Sequence, residues 1–484
     1  MTTARRSALV FATLILLAIA ALPAAAGAAT SSPQLELGLP NPAFVEALHD
    51  PVVSLGLGRL PSPIEVTVGA GVTARAARAD LPTAYSLIDL GRVTTPVKDQ
   101  RALSTCWSFA NIAALESTIL SSQGQHLNLS EDNLIGRSGY LSSIDQRYDF
   151  GGYDFMAVAY FARWAGPVTE ANDPYVSRRL PAVSRVVKHV QGAVMIPGRS
   201  ADLDNDLIKQ LVMANGALSV GMWWDPVAYD DVTSSYFLAT QEKWENHGVC
   251  IVGWDDAYAA ANFGAGASTP DGDGAFLVRN SYGGDWGDGG YFWVSYYDKS
   301  FARDLGYGTY GGCTSYSEVA DVGNYSRNYG YDRLGVTDRI GYPDGSPVWA
   351  ANGFTARTNR SITAVGFYTL SSGTPYEVWA GRSLKTLTRR ATGTATLPGY
   401  ATVKLDTPLT VTKGARFVVA IKLVSPDGSL PLAIERFRRM DGRLVFAPTT
   451  ADRGQSYVGP KRWRMKDLTS TIPKANVCLK AFAR

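Results

Sequence analysis

Helix-period apolar patterns in this 484-residue chain stop at Gly216, and almost everything after it reads as strand. Cys106 to Ser122 carries Trp107, Phe109, Ala110, Ala113, Ala114 and Ile119 with no Gly or Pro, the signature of a buried helix. Ser130 before Glu131 and Asp132 sets an N-cap with acids in the first turn of a second helix. Tyr153 to Ala165 is a third, stopped by Gly166-Pro167, and Leu203, Leu207, Ile208, Leu211 and Val212 line a fourth. Strand patterns follow at Leu218 to Met222, Gly248 to Trp254, Ala275 to Arg279 and Tyr291 to Tyr296. That order predicts an α+β domain whose helical half faces a strand-rich half across a cleft. Beyond about residue 316 the runs are short and separated by Gly, Pro or Ser-Gly turns: Ile362 to Leu370, Tyr376 to Ala380, Ala401 to Leu405 and Ala415 to Leu423. In the last, Phe417, Val419, Ile421 and Leu423 alternate with Val418, Ala420 and Lys422, the period of a half-buried strand. Residues 316–484 are therefore expected to form an all-β sandwich.

The first 28 residues read as a signal peptide. Arg5 and Arg6 precede an apolar run from Ala8 to Ala21, and Ala24 to Ala28 offers small-x-small cleavage sites. That run is short for a spanning helix, so a secreted or cell-surface chain with no transmembrane segment in its mature form is expected. Residues 29–80 are rich in Pro, Gly and Ala, with one short helix at Asn41 to Leu48, and suit an N-terminal arm or short pro-segment. With 46 Lys and Arg against 43 Asp and Glu and no basic block, nothing marks a nucleic-acid partner. The chain has four cysteines, Cys106, Cys250, Cys313 and Cys478. Cys250 lies in an apolar run as a buried thiol, and whether Cys313 and Cys478 are bridged stays open.

Three segments can carry chemistry. Cys106 opens a helix, where the positive dipole end and free backbone N–H groups favour thiolate. His247 stands at the mouth of an apolar strand, where each ring nitrogen needs a hydrogen-bond partner. Asn280 ends another strand ahead of a glycine- and aromatic-rich turn, from Ser281 to Tyr291, and can supply one such partner. Neither a metal nor a cofactor is called for: the two acids in Asp271-Gly272-Asp273-Gly274 suit a tight turn better than a Ca²⁺ loop.

Taken together, Gln100 with Cys106-Trp107-Ser108-Phe109, then His247-Gly248-Val249, then Asn280-Ser281-Tyr282-Gly283 with Trp286-Gly287 and Gly290-Tyr291 resemble the papain-like cysteine peptidases. Val97-Lys98-Asp99-Gln100, Asn128-Leu129-Ser130-Glu131 and Gly151-Gly152-Tyr153 are lesser echoes. The resemblance implies a two-lobed peptidase domain over 81–312, helical lobe plus barrel-like β-lobe, with no cofactor. It implies Cys106 as nucleophile, His247 as base and then acid, Asn280 orienting His247, and Gln100 in the oxyanion hole. Gly151 and Gly152 would bind an extended polypeptide substrate, and Tyr282 and Trp286 would cover the His–Asn bond.

Leu103 stands where the family usually has a disulfide cysteine, and no cysteine lies beside Gly151, so packing must fix that loop. Ser104 replaces a usual glycine and Tyr282 a usual tryptophan. Asp154, just after the glycine pair, is a candidate lining of the main specificity pocket. The tail, on Ala364-Val365-Gly366-Phe367-Tyr368 and Tyr376-Glu377-Val378-Trp379, resembles the lectin-like β-domain of secreted prokaryotic members, which implies a glycan or cell-surface ligand. Two rival readings use the same segments: a catalytically silent surface-binding or adhesive protein, and an acyl transferase.

Overall fold

The protein is described by a computed structural model at residues 33–49, 57–68, 80–140, 144–175, 184–196, 198–240, 242, 244–264, 268–303, 312–437 and 447–484. The expected signal peptide, 1–28, lies outside these residues, as does part of 29–80. Among them the strands form sheets of four, thirteen and six members.

The helix Cys106–Gln123 is the axis of the first domain, buried along most of its length and closed by Gly124 in the left-handed conformation. Its inner side packs on the strands Leu218–Met222, His247–Asp255 and Cys313–Asp321. The helix Glu131–Arg137 begins where Ser130 accepts a hydrogen bond from the Asn133 N–H. The third helix is shorter than its pattern suggests, Asp154–Ala162, and the fourth is Asp206–Asn215, outside which Leu203 lies exposed.

The large sheet does not stop at the domain boundary. From the His247–Asp255 strand it runs through Leu218–Met222 and Cys313–Asp321 to Lys188–Ile196, and then to Gly399–Val411 of the C-terminal module. Gly399, Tyr400 and Ala401 pair with Val194, Ala193 and Gly192 across the seam. The Lys188–Ile196 strand escapes the sequence pattern because Lys188, His189 and Gln191 are polar yet buried there. Lys188 Nζ meets Gln123 Oε1 at 2.6 Å and Asp321 Oδ1 at 2.5 Å, which satisfies its charge.

In the C-terminal module the six-stranded sheet packs on the far wing of the large one, giving the expected sandwich. Phe417, Val419, Ile421 and Leu423 fill the core between them with Ile362, Val365 and Phe367. The opposite face of that strand is not solvent-exposed as its period suggests. Val418 and Ala420 pack with Ala351 and Leu387 in a second small core, leaving Lys422 as the partly exposed member. Cys313 and Cys478 are not bridged; both are buried, Cys313 on the inter-lobe strand and Cys478 between two short strands. Cys250 is likewise free and buried, with Sγ donating to Ala110 O at 2.9 Å.

One buried ion cluster sets the loop that leads to Cys106. Lys98 Nζ lies 2.7 Å from Glu131 Oε1, 3.3 Å from Glu116 Oε1 and 2.6 Å from Leu129 O. Two of the lesser sequence echoes are thus the two ends of one contact. Burial alone would pull the Lys98 ammonium down, but Glu131 and Glu116 outweigh it and hold it above its ordinary value. Removing the cation strands two carboxylates in the interior. Lys98→Met is expected to lower unfolding stability by about 3–5 kcal/mol in urea titration. At the domain seam, a Cβ on Gly399 would sit 2.0 Å from Ala193 O, at a φ of +139°. Gly399→Ala is expected to cost about 1–3 kcal/mol, read by calorimetry as a lowered and broadened transition.

Candidate active site

Cys106 is the first residue of the axial helix, with Thr105 as its N-cap. Its Sγ accepts the Gly248 N–H at 3.2 Å, which places the thiol against the residue that follows His247. His247 opens the strand His247–Asp255, and Asn280 follows the neighbouring strand Ala275–Arg279. Because these strands are paired, Nε2 of His247 meets Asn280 Oδ1 at 2.8 Å. Nδ1 of His247 is buried without a hydrogen-bond partner among the described residues. Tyr282 stacks on the imidazole at 5.2 Å, and Trp286 meets Tyr282 edge-on at 5.4 Å. Both His247 and Asn280 are buried, and a hydrogen bond away from water is electrostatically stronger.

Gln100 is anchored by Ser281, whose hydroxyl donates to Oε1 at 2.5 Å and whose carbonyl accepts the Gln100 N–H at 2.8 Å. Its Nε2 donates to Leu103 O at 2.7 Å and reaches Leu57 O at 3.3 Å. The loop 101–105 lacks a disulfide, and two tyrosines hold it instead. Ser104 N–H donates to Tyr148 O at 2.9 Å, while Tyr175 hydroxyl bonds Gln100 O at 3.0 Å and pairs with Thr105 Oγ1 at 2.9 Å.

The cleft is filled by the chain's own N-terminal segment. Gly152 N–H donates to Gly58 O at 3.0 Å and Gly152 O accepts the Leu60 N–H at 2.9 Å, while Arg59 N–H donates to Asn246 O at 3.0 Å. A Cβ on Gly151 would lie 2.4 Å from Gly58 O, so this glycine is what lets the backbone approach, whereas a Cβ on Gly152 would meet the Trp107 ring at 2.6 Å. On either side the segment is fastened elsewhere. Glu36–Leu37 pairs with Ile340 and Gly341, and Thr67 bridges Ser371, both in the C-terminal module. The helix Pro42–Ala47 lies between, with Phe44 edge-on to Tyr153 at 5.9 Å.

Asp154 does not line an open pocket. It is wholly buried, with Oδ1 and Oδ2 taking the Arg59 guanidinium at 2.5 and 3.1 Å. Asn111 Nδ2 at 2.7 Å, Ser219 Oγ at 3.1 Å and Thr314 Oγ1 at 2.7 Å complete its shell.

Sealing the cleft overturns the electrostatics expected of a helix-start cysteine. Burial pushes the Cys106 thiol up to about 12, although Gly248 N–H and Arg59 act the other way. Burial also pulls the His247 imidazole down to about 4 against its bond to Asn280. Burial therefore favours the neutral thiol and the neutral imidazole.

Sequence reading missed Trp224, whose ring touches His247, Tyr282 and Trp286 and whose backbone N–H donates to Asn246 Oδ1 at 2.6 Å. The doublet Trp223-Trp224 just past a strand was its only local signal. Arg59 and Glu245, which meet at 3.2 Å, were missed as well.

Residues 81–304 match the sequence model of the family described as papain family cysteine protease, and residues 328–483 that of the lectin like domain. The crystal structure of the cysteine protease and lectin-like domains of Cwp84, a surface layer associated protein of Clostridium difficile, superposes with a TM-score of 0.78. That alignment covers 94% of this chain and 99% of the other at 24% identity. Clostridial Cwp84 after propeptide cleavage gives 0.72, covering 83% of this chain and 99% of the other at 25% identity. Cysteine protease 1 of Oryza sativa subsp. japonica is 30% identical over 214 residues, 44% of this chain and 40% of its own length. Cysteine proteinase B of Leishmania mexicana is 28% identical over 223 residues, 45% of this chain and 46% of its own. The chain spans about half or less of the length of such curated relatives. Among the described residues, no helix is long and apolar enough to cross a membrane. This chain carries a peptidase domain of the papain family at 81–304, followed by a lectin-like domain at 328–483.

Proposed function

We propose that the chain is an exported cysteine endopeptidase that cleaves extended polypeptide, held closed by residues 57–60 until they leave the cleft. The observation that carries the reading is the junction of Cys106 Sγ with Gly248 N–H beside a His247–Asn280 bond of 2.8 Å. In the working form Cys106 Sγ attacks the scissile carbonyl carbon while His247 Nδ1 takes the thiol proton. His247 then returns that proton to the departing amine, leaving an acyl-thioester on Cys106 that water hydrolyses. Asn280 holds the imidazole with Nδ1 toward the thiol. The Cys106 N–H and Gln100 Nε2 stabilise the oxyanion, each donor worth about 2.7–4 kcal/mol in the transition state. The donation from Gln100 Nε2 to Leu57 O supports this role, since a carbonyl already occupies that position. Gly151 and Gly152 bind the substrate backbone as they now bind residues 58–60. Residues 1–28 direct export, and the lectin-like domain takes a glycan or cell-surface ligand.

The residue roles are tested by turnover of a peptide amide after the segment is displaced by limited proteolysis. Cys106→Ala is expected to abolish it and His247→Ala to reduce it by about three orders of magnitude or more, with Asn280→Ala retaining partial activity. Full activity in Cys106→Ala protein refutes the assignment. The closed state is tested by iodoacetamide labelling mapped by mass spectrometry. A thiol titrating at about 12 stays almost unlabelled from pH 5.5 to 9 in the intact chain. Once the segment is displaced, Cys106 is expected to label selectively even at pH 5.5, and His247→Ala to remove that labelling.

A further inference from the structure

The sequence holds no basic block, yet the fold gathers one on the C-terminal module. Val378 to Leu405 contains no Asp or Glu, and neither does Arg453 to Lys466. These stretches meet over the second small core, on the outer face of the six-stranded sheet. There the single-turn helices Leu384–Thr386 and Arg462–Arg464 touch. Arg462 joins them, since its Nη1 donates to Leu387 O at 3.0 Å and its guanidinium lies 5.3 Å over the Trp379 ring. Arg382 and Lys385 are exposed at the first turn, Lys461 and Arg464 at the second, and none of the four has a carboxylate partner among the described residues. The acids that bound the two stretches are engaged. Glu377 takes Lys422 Nζ at 2.9 Å and the Trp379 indole N–H at 3.1 Å, and Asp467 accepts the backbone N–H groups of Gly454 and Thr469. Cations gathered without counter-charges repel one another, and a bound anion relieves that repulsion. The same face offers flat aromatic surface: Trp349 and Trp379 lie 5.3 Å apart, and Trp463 is 76% exposed with Lys461 Nζ 5.8 Å from its ring.

We propose that this face binds an anionic glycan, a sugar polymer bearing carboxylate or phosphate groups, with Trp463 stacking on its rings and the cations of the two turns meeting its acids. The inference rests on reading the lectin-like domain as a glycan-binding module; it gives that module a place and its ligand a charge. A lipid surface fits less well, because Trp463 is the one large apolar side chain exposed on these stretches, too little to enter hydrocarbon. The lectin-like character of the domain favours sugar over nucleic acid.

The test is affinity electrophoresis of the full chain through gels holding polygalacturonate, phosphomannan or neutral mannan. Retardation by an acidic polymer and not by mannan is expected, the stronger of the two identifying the acid, with binding weakened about tenfold or more between about 50 and 300 mM salt. Lys385→Glu with Lys461→Glu and Arg464→Glu is expected to weaken binding by about tenfold or more. The same charge change at other exposed positions of the chain, Arg327→Glu with Arg360→Glu and Lys413→Glu, is expected to alter it by less than about twofold. Trp463→Ala changes no charge and is expected to weaken binding several-fold at an unchanged salt slope, which separates a glycan site from plain ion exchange. Equal losses in the two triple variants, or no effect of Trp463→Ala, overturn the proposal. So does stronger competition by duplex DNA or phosphatidylglycerol vesicles, at equal charge, than by free acidic glycan. Retardation by mannan alone overturns it while leaving the glycan reading of the domain intact, whereas retardation by none of the three polymers refutes both. Should the triple variant at the patch not fold, Lys385→Gln with Lys461→Gln takes its place.

Discussion

A single carboxylate, Asp154, ties together the parts that make the cleft. Its donors come from the axial helix at Asn111, the strand Leu218–Met222 at Ser219, the inter-lobe strand at Thr314, and the N-terminal segment at Arg59. A buried charge left without these partners would cost several kcal/mol, so each element is constrained to arrive in register. Asn111 carries the constraint onward, since its Oδ1 accepts the Tyr316 hydroxyl at 2.7 Å. The helix that presents Cys106 and the strand that leads out of the peptidase lobe are thereby locked to one point.

The state of the thiol shows which of two opposed effects prevails. A helix start and nearby N–H groups favour the thiolate, yet complete removal of water disfavours it more, because the dipole acts through partial charges whereas desolvation acts on a whole one. Cys106 and His247 are brought together by the fold, and burial favours the neutral form of each.

Much of this arrangement is legible in the sequence where the signal is local. Apolar periodicity marks the Cys106 helix and the strands that bring His247 and Asn280 together, and each of those residues sits at an element end, where side chains can converge. The lectin-like sandwich is legible by its turns. What escapes is long-range or polar. Lys188–Ile196 hides because Lys188, His189 and Gln191 are buried in the sheet, and the charge of Lys188 is met by Gln123 and Asp321, far from it along the chain. Arg59 lies in Leu57-Gly58-Arg59-Leu60-Pro61, a stretch with no period to read, and gains meaning only opposite Asp154 and Glu245. Cys313 and Cys478 teach the same lesson, since their spacing permits a bridge that their separate burial does not use.

The two footholds of the N-terminal segment on the lectin-like domain have a consequence for how the cleft opens. A cut anywhere between Val68 and Asp80 breaks the covalent link to the peptidase lobe yet leaves Glu36–Leu37 and Thr67 docked on the other domain. The nicked molecule is then a two-chain complex whose contacts dissociate together rather than one by one. Its opening obeys mass action: dilution favours the vacant cleft, a higher concentration restores the closed one, and access to Cys106 becomes a property of concentration as well as of cleavage.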